Sequence, residues 1–299
     1  MEKLRAIWEL MRLEHGILIA IAVLIGSLVA LGGESPPSFD KFILTFFTVL
    51  FIEASTFALN DYCDIEIDKK NRRTDRPLVR GVLSRETAFY VFILLFPLGI
   101  ICSFFVNLTC FVIALITGFL GIFYDIFLKK IKVLGNFYIA YAMAIPFVFG
   151  GASIFENKSL LIDLPLVIYI VAFIAFLTGV GREIMKDVMD FEGDKSRGVK
   201  SFPFYIGTRG SNVLAAVFYL VAICFSFLPF FMERFELYYL NYFYLSLIFL
   251  TDTMLLSTSF QLIFKKKPHV GLYRKFTLVA IFVGLLAFLV PILLVLFDF

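Results

Sequence analysis

Apolar runs long enough to cross a lipid bilayer recur nine times along the 299-residue chain, with short polar connections between them. A helix needs about 20 mainly apolar residues to cross about 30 Å of hydrocarbon. We therefore predict an all-α membrane protein, a bundle of nine transmembrane helices in one domain over residues 1–299. To within several residues, the predicted spans are roughly 16–32, 42–60, 86–105, 109–127, 135–154, 161–180, 212–231, 238–263 and 276–297.

Two connections are so short that the spans they join must be antiparallel neighbours. Little more than Val106-Asn107-Leu108 joins the third span to the fourth, and Lys129-Lys130-Ile131-Lys132 separates the fourth from the fifth. Each pair is expected to form a helical hairpin. The first fifteen residues alternate charged and apolar positions, which predicts an interfacial amphipathic helix ahead of the first span.

The composition excludes a soluble fold. Hydrophobic residues make up 61% of the chain and charged residues only 17%, with a mean hydropathy of +0.93. Soluble domains are nearer a quarter charged. The four cysteines show no paired spacing, so neither a disulfide framework nor a zinc site is predicted.

Basic residues divide unequally between the two ends of the predicted spans. The N-terminus and the second, fourth, sixth and eighth connections hold 24 of the 27 Lys and Arg residues, whereas the opposite side holds only Lys41, Lys158 and Arg234. Because positive residues are retained in the cytoplasm, the N-terminus and the longer polar loops are predicted to be cytoplasmic in a multi-pass protein of the cell membrane. An odd number of spans then places the C-terminus outside.

Two stretches at the ends of the second and sixth spans share one acidic pattern. Aspartates stand at i, i+3 and i+7 in Asp61, Asp64 and Asp68, and again in Asp187, Asp190 and Asp194. At about 100° per residue, three such carboxylates lie within roughly 60° of one helix face. Cations must neutralise carboxylates held so close together, which favours a divalent-metal site over two solvated acidic helix ends.

The parallel between the two stretches continues after the aspartates. Lys69 and Lys195 follow the last aspartate of each triad, and Pro77 and Pro203 lie nine residues beyond it, all at the same offset of 126 residues. We interpret this as a diverged internal duplication in which spans 2–5 are repeated as spans 6–9.

Acidic triads surrounded by basic residues are suited to binding a diphosphate with Mg²⁺. Mg²⁺ takes few protein ligands and completes its coordination with water and phosphate oxygens, and guanidinium groups bind phosphate bidentately. The cations near the triads are Lys69, Lys70, Arg72, Arg73, Arg76, Arg80, Lys129, Lys130, Lys132, Arg182 and Lys186. For many of these residues the positive-inside bias and contact with anionic lipid are a sufficient alternative explanation.

An intramembrane bundle beneath a diphosphate site suggests that the substrate carries an apolar tail. Loss of diphosphate from an allylic prenyl chain leaves a carbocation, which aromatic faces stabilise. Five aromatic residues are predicted near the cytoplasmic mouth: Phe57, Tyr62, Phe123, Tyr124 and Tyr138.

These motifs resemble the two signatures of the UbiA superfamily of intramembrane prenyltransferases. The first is Asn60-Asp61-x-x-Asp64-x-x-x-Asp68, followed by Asn71-Arg72 and Arg76-Pro77-Leu78-x-x-Gly81. The second is Arg182-Glu183-x-x-Lys186-Asp187-x-x-Asp190-x-Glu192-Gly193-Asp194, which is similar to archaeal-type members. Family members often have Pro-Ser where this chain has Val79-Arg80, and that difference bears on the acceptor.

The resemblance implies Mg²⁺-dependent transfer of a prenyl group from a prenyl diphosphate to an acceptor, with Mg²⁺ as the cofactor. The implied metal ligands are Asn60, Asp61, Asp64, Asp68, Asp187, Asp190 and Asp194. The implied diphosphate-binding residues are Asn60, Arg12, Arg72, Arg76, Lys129, Arg182 and Lys186. The implied catalytic residues are Asp64, Asp68, Asp190, Asp194 and Tyr124, the tyrosine contacting the diphosphate end or shielding the carbocation.

Several alternatives stay open at this point. The predicted acceptor is a lipophilic or aromatic molecule of the quinone-precursor type, with geranylgeranylglyceryl phosphate of archaeal-type ether-lipid synthesis as the alternative. No sequence feature decides between them. A transporter with a cytoplasmic metal site is the alternative of another class, although transporters place ionisable residues nearer the bilayer midplane. Glu53 within the second span either serves the reaction or makes a structural hydrogen bond, and Asp252 in the eighth favours a bond between helices. Expected partners are the donor, the acceptor and membrane lipid, with no nucleic acid.

Overall fold

The computed structural model describes residues 2–32, 39–70, 72–154, 164–196 and 198–296, without the side chains of Lys130 and Ser196. Within these ranges the protein consists of helices and turns. The helices are α1 (Glu2–Met11), α2 (Leu13–Leu31), α3 (Phe39–Lys70), α4 (Arg85–Val106), α5 (Leu108–Ile126), α6 (Lys132–Ile154), α7 (Leu166–Ser196), α8 (Phe202–Ser226), α9 (Leu228–Phe231), α10 (Tyr242–Phe264) and α11 (Val270–Leu296), with a short 3₁₀ helix at Leu128–Lys130.

In the described part of the chain, nine helices are long and apolar enough to cross a membrane, which confirms the predicted number of spans. The amphipathic helix predicted before the first span is α1, and it ends at Met11, just before Arg12, whose φ is 48°. Asn71, Lys158, Arg197, residues 161–163 of the sixth predicted span and residue 297 of the ninth lie outside the described residues.

The seventh and eighth spans differ from their predicted boundaries. Helix α8 begins at Phe202, and Gly207, with φ of 71°, divides it into two helical pieces. The predicted span, from about 212, therefore begins ten residues after the helix does, and it omits the aromatic segment before Gly207. Helix α10 begins four residues later than predicted, because the side chain of Asn241 accepts hydrogen bonds from the backbone N–H groups of Phe243 and Tyr244 and so caps the helix.

Helices α3 and α7 extend past their apolar segments, as the acidic triads predict, and end in the same way. At the end of α3 the N–H groups of Arg72 and Arg73 bond to the carbonyls of Lys69 and Asp68. At the end of α7 the N–H groups of Gly198 and Val199 donate to the carbonyls of Lys195 and Asp194. Both are Schellman caps, and they satisfy the last carbonyl groups of the helix.

The contacts divide the chain into two compact units that interleave along the sequence. The first holds α1, most of α2 and α3–α5, and its helix α3 packs along α4 and against α5 and α1. Ala6 and Leu10 of α1 are buried against Ala58 of α3. Helix α4 also packs on α5, so the predicted hairpin of the third and fourth spans is formed. Asn107 joins the two helices, and its side chain caps α5 by accepting from the Cys110 N–H at 2.7 Å.

The second unit holds α7–α11, most of α6 and the end of α2. In it, α7 packs on α8 and on α11, and α10 also packs on α8 and on α11. Helix α7 lies close to α8 at Gly181, where a Cβ would lie 2.8 Å from the ring of Tyr219. Asp252 of α10 accepts a hydrogen bond from Ser226 of α8 at 2.6 Å. This is the bond between helices that the sequence favours for Asp252. The single-domain organisation and the internal duplication stay predictions.

Candidate functional site

The innermost aspartate of the first triad is held by two arginines. Asp61 is buried on α3, with a side chain 1% exposed, and its Oδ1 accepts from Arg12 Nη2 at 2.7 Å and from Arg76 Nη1 at 2.9 Å. Burial lowers the pKa of the Arg12 guanidinium, and the charge of Asp61 opposes that shift. The guanidinium of Arg12 also lies 4.3 Å from the centre of the Phe57 ring. Arg12 and Arg76, predicted to bind diphosphate, thus meet at one carboxylate.

The other two aspartates of this triad lie farther along α3. Asp68 is buried, and its Oδ2 is 3.9 Å from Arg76 Nε, so Arg76 spans two members of the triad. Asp64 is half-buried one turn before Asp68, and Arg72 is exposed beyond the end of the helix. The structure therefore brings Arg76 to the first triad and leaves the Arg72 side chain at the surface.

Asn60 is bound to an acidic residue outside the predicted set. Its Nδ2 donates to Oδ1 of Asp125, which is buried at the end of α5, at 2.8 Å. The neighbouring Tyr124 is half-buried. The signal that was overlooked is a lone acidic residue at the end of an apolar span, where burial without a partner is costly.

A cavity of about 370 Å³ opens beside this triad, between the break at Arg12 and the turns after α3. It is lined by Trp8, Glu9, Arg12, Glu14, His15, Arg73, Asp75 and Arg76. Arg73 donates to both carboxylate oxygens of Asp75, at 2.9 and 2.8 Å, and this bond lowers the pKa of Asp75. Glu9 forms ion pairs with Arg80 and Arg5. The cavity wall carries charges of both signs.

The second triad is organised around a lysine. Lys132, the first residue of α6, places Nζ 3.2 Å from Asp187 Oδ1, 3.9 Å from Asp190 Oδ2 and 2.5 Å from Asp194 Oδ2. Asp187 and Asp194 are buried, whereas the Asp190 side chain is 47% exposed. One ammonium group therefore touches all three carboxylates.

Asn136 completes the contacts of the buried aspartate. Its Nδ2 donates to Asp187 Oδ2 at 2.7 Å, and both groups are buried. Lys132 and Asn136 are four residues apart, so they lie on one face of α6. Sequence reasoning placed Lys132 among the nearby cations but did not choose it for the site, and it missed Asn136. The sequence feature that could have predicted both residues is their i, i+4 spacing, which places a cation and an amide on one helix face directly after a basic loop.

The other cations predicted near the second triad do not contact it in the same way. Arg182 is buried on α7, and its Nη1 donates to the Arg274 carbonyl at 2.6 Å and to Thr277 Oγ1 at 2.8 Å, both on α11. Lys186 lies 3.5 Å from Glu183 on its own helix. Lys129 is half-buried in the 3₁₀ helix after α5. The diphosphate-binding roles of these residues stay predictions.

The residues of both triads suit Mg²⁺ in type, although the basic side chains now hold them. In the ranges that the structure describes, no three His, Cys, Asp or Glu side chains converge in the geometry of a metal site. The donors are nevertheless carboxylate oxygens, the ligands that Mg²⁺ prefers. In the second triad the ammonium of Lys132 is a stand-in cation, which marks the space between the carboxylates as one that accepts positive charge.

Comparison with known proteins identifies the family. The model of the UbiA prenyltransferase family matches residues 19–269, most of the chain. The protein belongs to the UbiA prenyltransferase family. The predicted resemblance is thereby confirmed, and the chain is a multi-pass membrane prenyltransferase.

Relatives within the UbiA family extend the likeness over almost the whole chain. The digeranylgeranylglyceryl phosphate synthase of Archaeoglobus fulgidus is 41% identical over 293 residues, covering 95% of this chain and 94% of the relative. The digeranylgeranylglyceryl phosphate synthase of Methanosarcina mazei is 34% identical, covering 96% of this chain and 98% of the relative.

Solved structures agree with this UbiA assignment. A structure described as giving insights into digeranylgeranylglyceryl phosphate synthase in membranes is 32% identical, with a TM-score of 0.79 and coverage of 98% of this chain and 99% of that one. A UbiA homolog from Archaeoglobus fulgidus bound to DMAPP and Mg²⁺ is 18% identical, with a TM-score of 0.62 and coverage of 95% and 99%. The second likeness shows the UbiA fold alone.

Proposed function

We propose that this prenyltransferase transfers a geranylgeranyl group from its diphosphate to geranylgeranylglyceryl phosphate in an Mg²⁺-dependent reaction. The allylic C–O bond to diphosphate breaks, the acceptor hydroxyl oxygen bonds to the allylic carbon of the resulting carbocation, and the hydroxyl proton is released. The observation that carries this acceptor is the 41% identity, over nearly the full length of both chains, to a digeranylgeranylglyceryl phosphate synthase. This supports the lipid acceptor over the aromatic quinone precursor.

We assign metal binding first to the two triad members that water reaches most readily, Asp64 and Asp190, together with Asp68 and Asp194. Bound Mg²⁺ would neutralise the diphosphate as it leaves. Asp61 and Asp187 have a different role, because buried cations and an amide hold them and they anchor the helix ends. Arg76 links the two roles by reaching both Asp61 and Asp68.

The cavity at the first triad supports a phosphate-bearing substrate. Arg12, Arg73 and Arg76 line it, and guanidinium groups bind phosphate oxygens in pairs. The bond between Arg73 and Asp75 is the most exposed of their pairs, and it is the one that would be exchanged for a phosphate. We propose that this cavity receives a phosphate group of a substrate at the cytoplasmic face, the orientation that the 24 to 3 asymmetry of basic residues supports.

A direct test compares acceptors with purified protein in lipid nanodiscs. Labelled geranylgeranyl diphosphate is supplied with geranylgeranylglyceryl phosphate or with 4-hydroxybenzoate, in Mg²⁺ or in EDTA. We expect labelled digeranylgeranylglyceryl phosphate only with the lipid acceptor and only with Mg²⁺. Product with the aromatic acceptor alone would reject the proposed acceptor. Absence of any product, together with ion flux in liposomes that Asp190→Asn abolishes, would support the transporter instead.

A further inference from the structure

Lys132 contacts all three members of the second aspartate triad. Its Nζ lies 2.5 to 3.9 Å from carboxylate oxygens of Asp187, Asp190 and Asp194. The Lys132 side chain is 20% exposed, and two of the carboxylates are buried, so water screens this contact only weakly. Without a nearby positive charge, the three carboxylates would repel one another across a short helix face.

An ammonium group and a divalent ion cannot share this space. Mg²⁺ binds carboxylate oxygens at about 2.1 Å, so it would lie within a few ångströms of Nζ if Lys132 stayed in place. Two cations that close repel strongly where water is partly excluded. Binding of the metal to these aspartates therefore requires Lys132 to move away.

The type of residue suits such a movement. A lysine is a point charge on a flexible four-carbon stem, whereas the arginines at the first triad bind Asp61 through a rigid planar group. Asn136 also donates to Asp187, so that carboxylate keeps one of its bonds when the ammonium leaves. The second triad can thus exchange its cation without losing its anchor.

We propose that Lys132 competes with Mg²⁺ for the second aspartate triad, so that this triad takes up metal together with diphosphate rather than before it. The arriving diphosphate offers the displaced ammonium a new anionic partner, which offsets the loss of its carboxylate contacts. The inference rests on the proposed binding of Mg²⁺ by Asp190 and Asp194 of this triad. Lys132 acts as a positioning residue, because it acts through the carboxylates.

The test measures Mn²⁺ binding by electron paramagnetic resonance on purified protein in nanodiscs, with and without inorganic diphosphate. We expect wild-type protein to bind Mn²⁺ weakly alone and more tightly with diphosphate. Lys132→Met should bind Mn²⁺ alone about tenfold more tightly, because one unit charge beside the ligands is gone. Lys195→Met is the matched control, since it removes an exposed lysine next to Asp194, and it should leave Mn²⁺ binding within about twofold of wild type.

A thermal melt accompanies each titration, and Lys132→Gln, which keeps a hydrogen-bond donor, is the second variant. In EDTA both Lys132 variants should melt below wild type, and Mn²⁺ should restore them more than it raises wild type. Loss of packing alone would weaken metal binding, so tighter binding separates the proposal from a structural role.

Three results would overturn the inference. Unchanged or weaker Mn²⁺ binding in both Lys132 variants, with Asp190→Asn still weakening it, rejects the competition but leaves the proposed function standing. Tight Mn²⁺ binding by wild-type protein without diphosphate would also reject the competition and leave the proposed function standing. Absence of Mn²⁺ binding in every protein, with diphosphate present, rejects the metal site and the proposed function together.

Discussion

Arg72 and Gly198 occupy the same position, the residue after the C-cap, at the ends of α3 and α7, and both have positive φ, 53° and 71° respectively. The offset between them is the 126 residues that also relate the two aspartate triads. Glycine adopts this left-handed conformation without strain, whereas a side chain with a Cβ adopts it at a cost. A sharp end to the helix directly after the third aspartate is therefore kept in both units, even where arginine must adopt an unfavourable conformation.

The left-handed caps predict opposite effects of two substitutions on stability. Arg72→Gly relieves the strain and should raise the free energy of unfolding by about 1 kcal/mol, whereas Gly198→Ala introduces strain and should lower it by about 1 kcal/mol. Thermal unfolding in detergent measures both changes as shifts in Tm. Arg72→Asn, which tolerates the same conformation, is the control and should retain most of the stabilisation. Stabilisation by Gly198→Ala would contradict the cap.

Substitutions of Asp61 and of Asp64 should differ in their effect on the free energy of unfolding. Asp61→Asn removes the buried negative charge that Arg12 and Arg76 share, and should cost about 3 kcal/mol, because both guanidinium groups are mostly buried. Asp64→Asn, on the same helix face but half-buried, should shift stability by less than about 1 kcal/mol. Thermal melts in the absence of metal compare the pair. Equal destabilisation by both substitutions would argue against the assigned division of roles.

Substitution of the more exposed aspartates should reduce activity strongly while changing stability little. Asp64→Asn and Asp190→Asn each replace a metal-binding carboxylate with a neutral amide and should lower kcat/KM by about 10³-fold, a typical loss for electrostatic stabilisation of a leaving group. Each variant is assayed with labelled geranylgeranyl diphosphate, and its Tm is measured alongside. The exposed Glu192, close to Asp190 in the chain, offers the control Glu192→Gln, which should retain activity within about threefold. Wild-type turnover in either aspartate variant would remove that residue from the site.

Hydropathy was sufficient for the nine spans because a lipid bilayer leaves a transmembrane segment few options besides a helix. The extension of α3 and α7 followed equally from the aspartate spacing, since i, i+3 and i+7 describe one helix face. The partners of these aspartates did not follow. Arg12 reaches Asp61 from 49 residues away, and Lys132 reaches Asp194 from 62 residues away. Such contacts depend on how the helices pack, and one sequence does not specify which of many nearby cations is the partner.

The partners of Arg182 are a further example of contacts that the sequence does not specify. The resemblance to the UbiA signatures implies a diphosphate contact for Arg182, and this stays a prediction. In the structure its guanidinium donates to acceptors on α11, which the sequence did not predict. Motif spacing gives the helix face only approximately, and a buried guanidinium takes whichever acceptors are within reach. Here those acceptors are a carbonyl and a hydroxyl near the start of α11.

Substitutions at Arg182 and Thr277 distinguish a packing role from a diphosphate-binding role. Thr277→Val keeps the shape of a buried side chain but removes the hydroxyl that accepts from Arg182 Nη1, and should cost about 1–3 kcal/mol in stability because a charged donor loses a partner. If Arg182 serves packing, Arg182→Met should lower Tm as well, while the KM for geranylgeranyl diphosphate changes less than about twofold. Thr258→Val on α10 is the control, since its hydroxyl bonds only within its own helix at the Met254 carbonyl, and it should be nearly neutral. A rise in donor KM of about tenfold in Arg182→Met, with Tm unchanged, would instead place this arginine at the diphosphate.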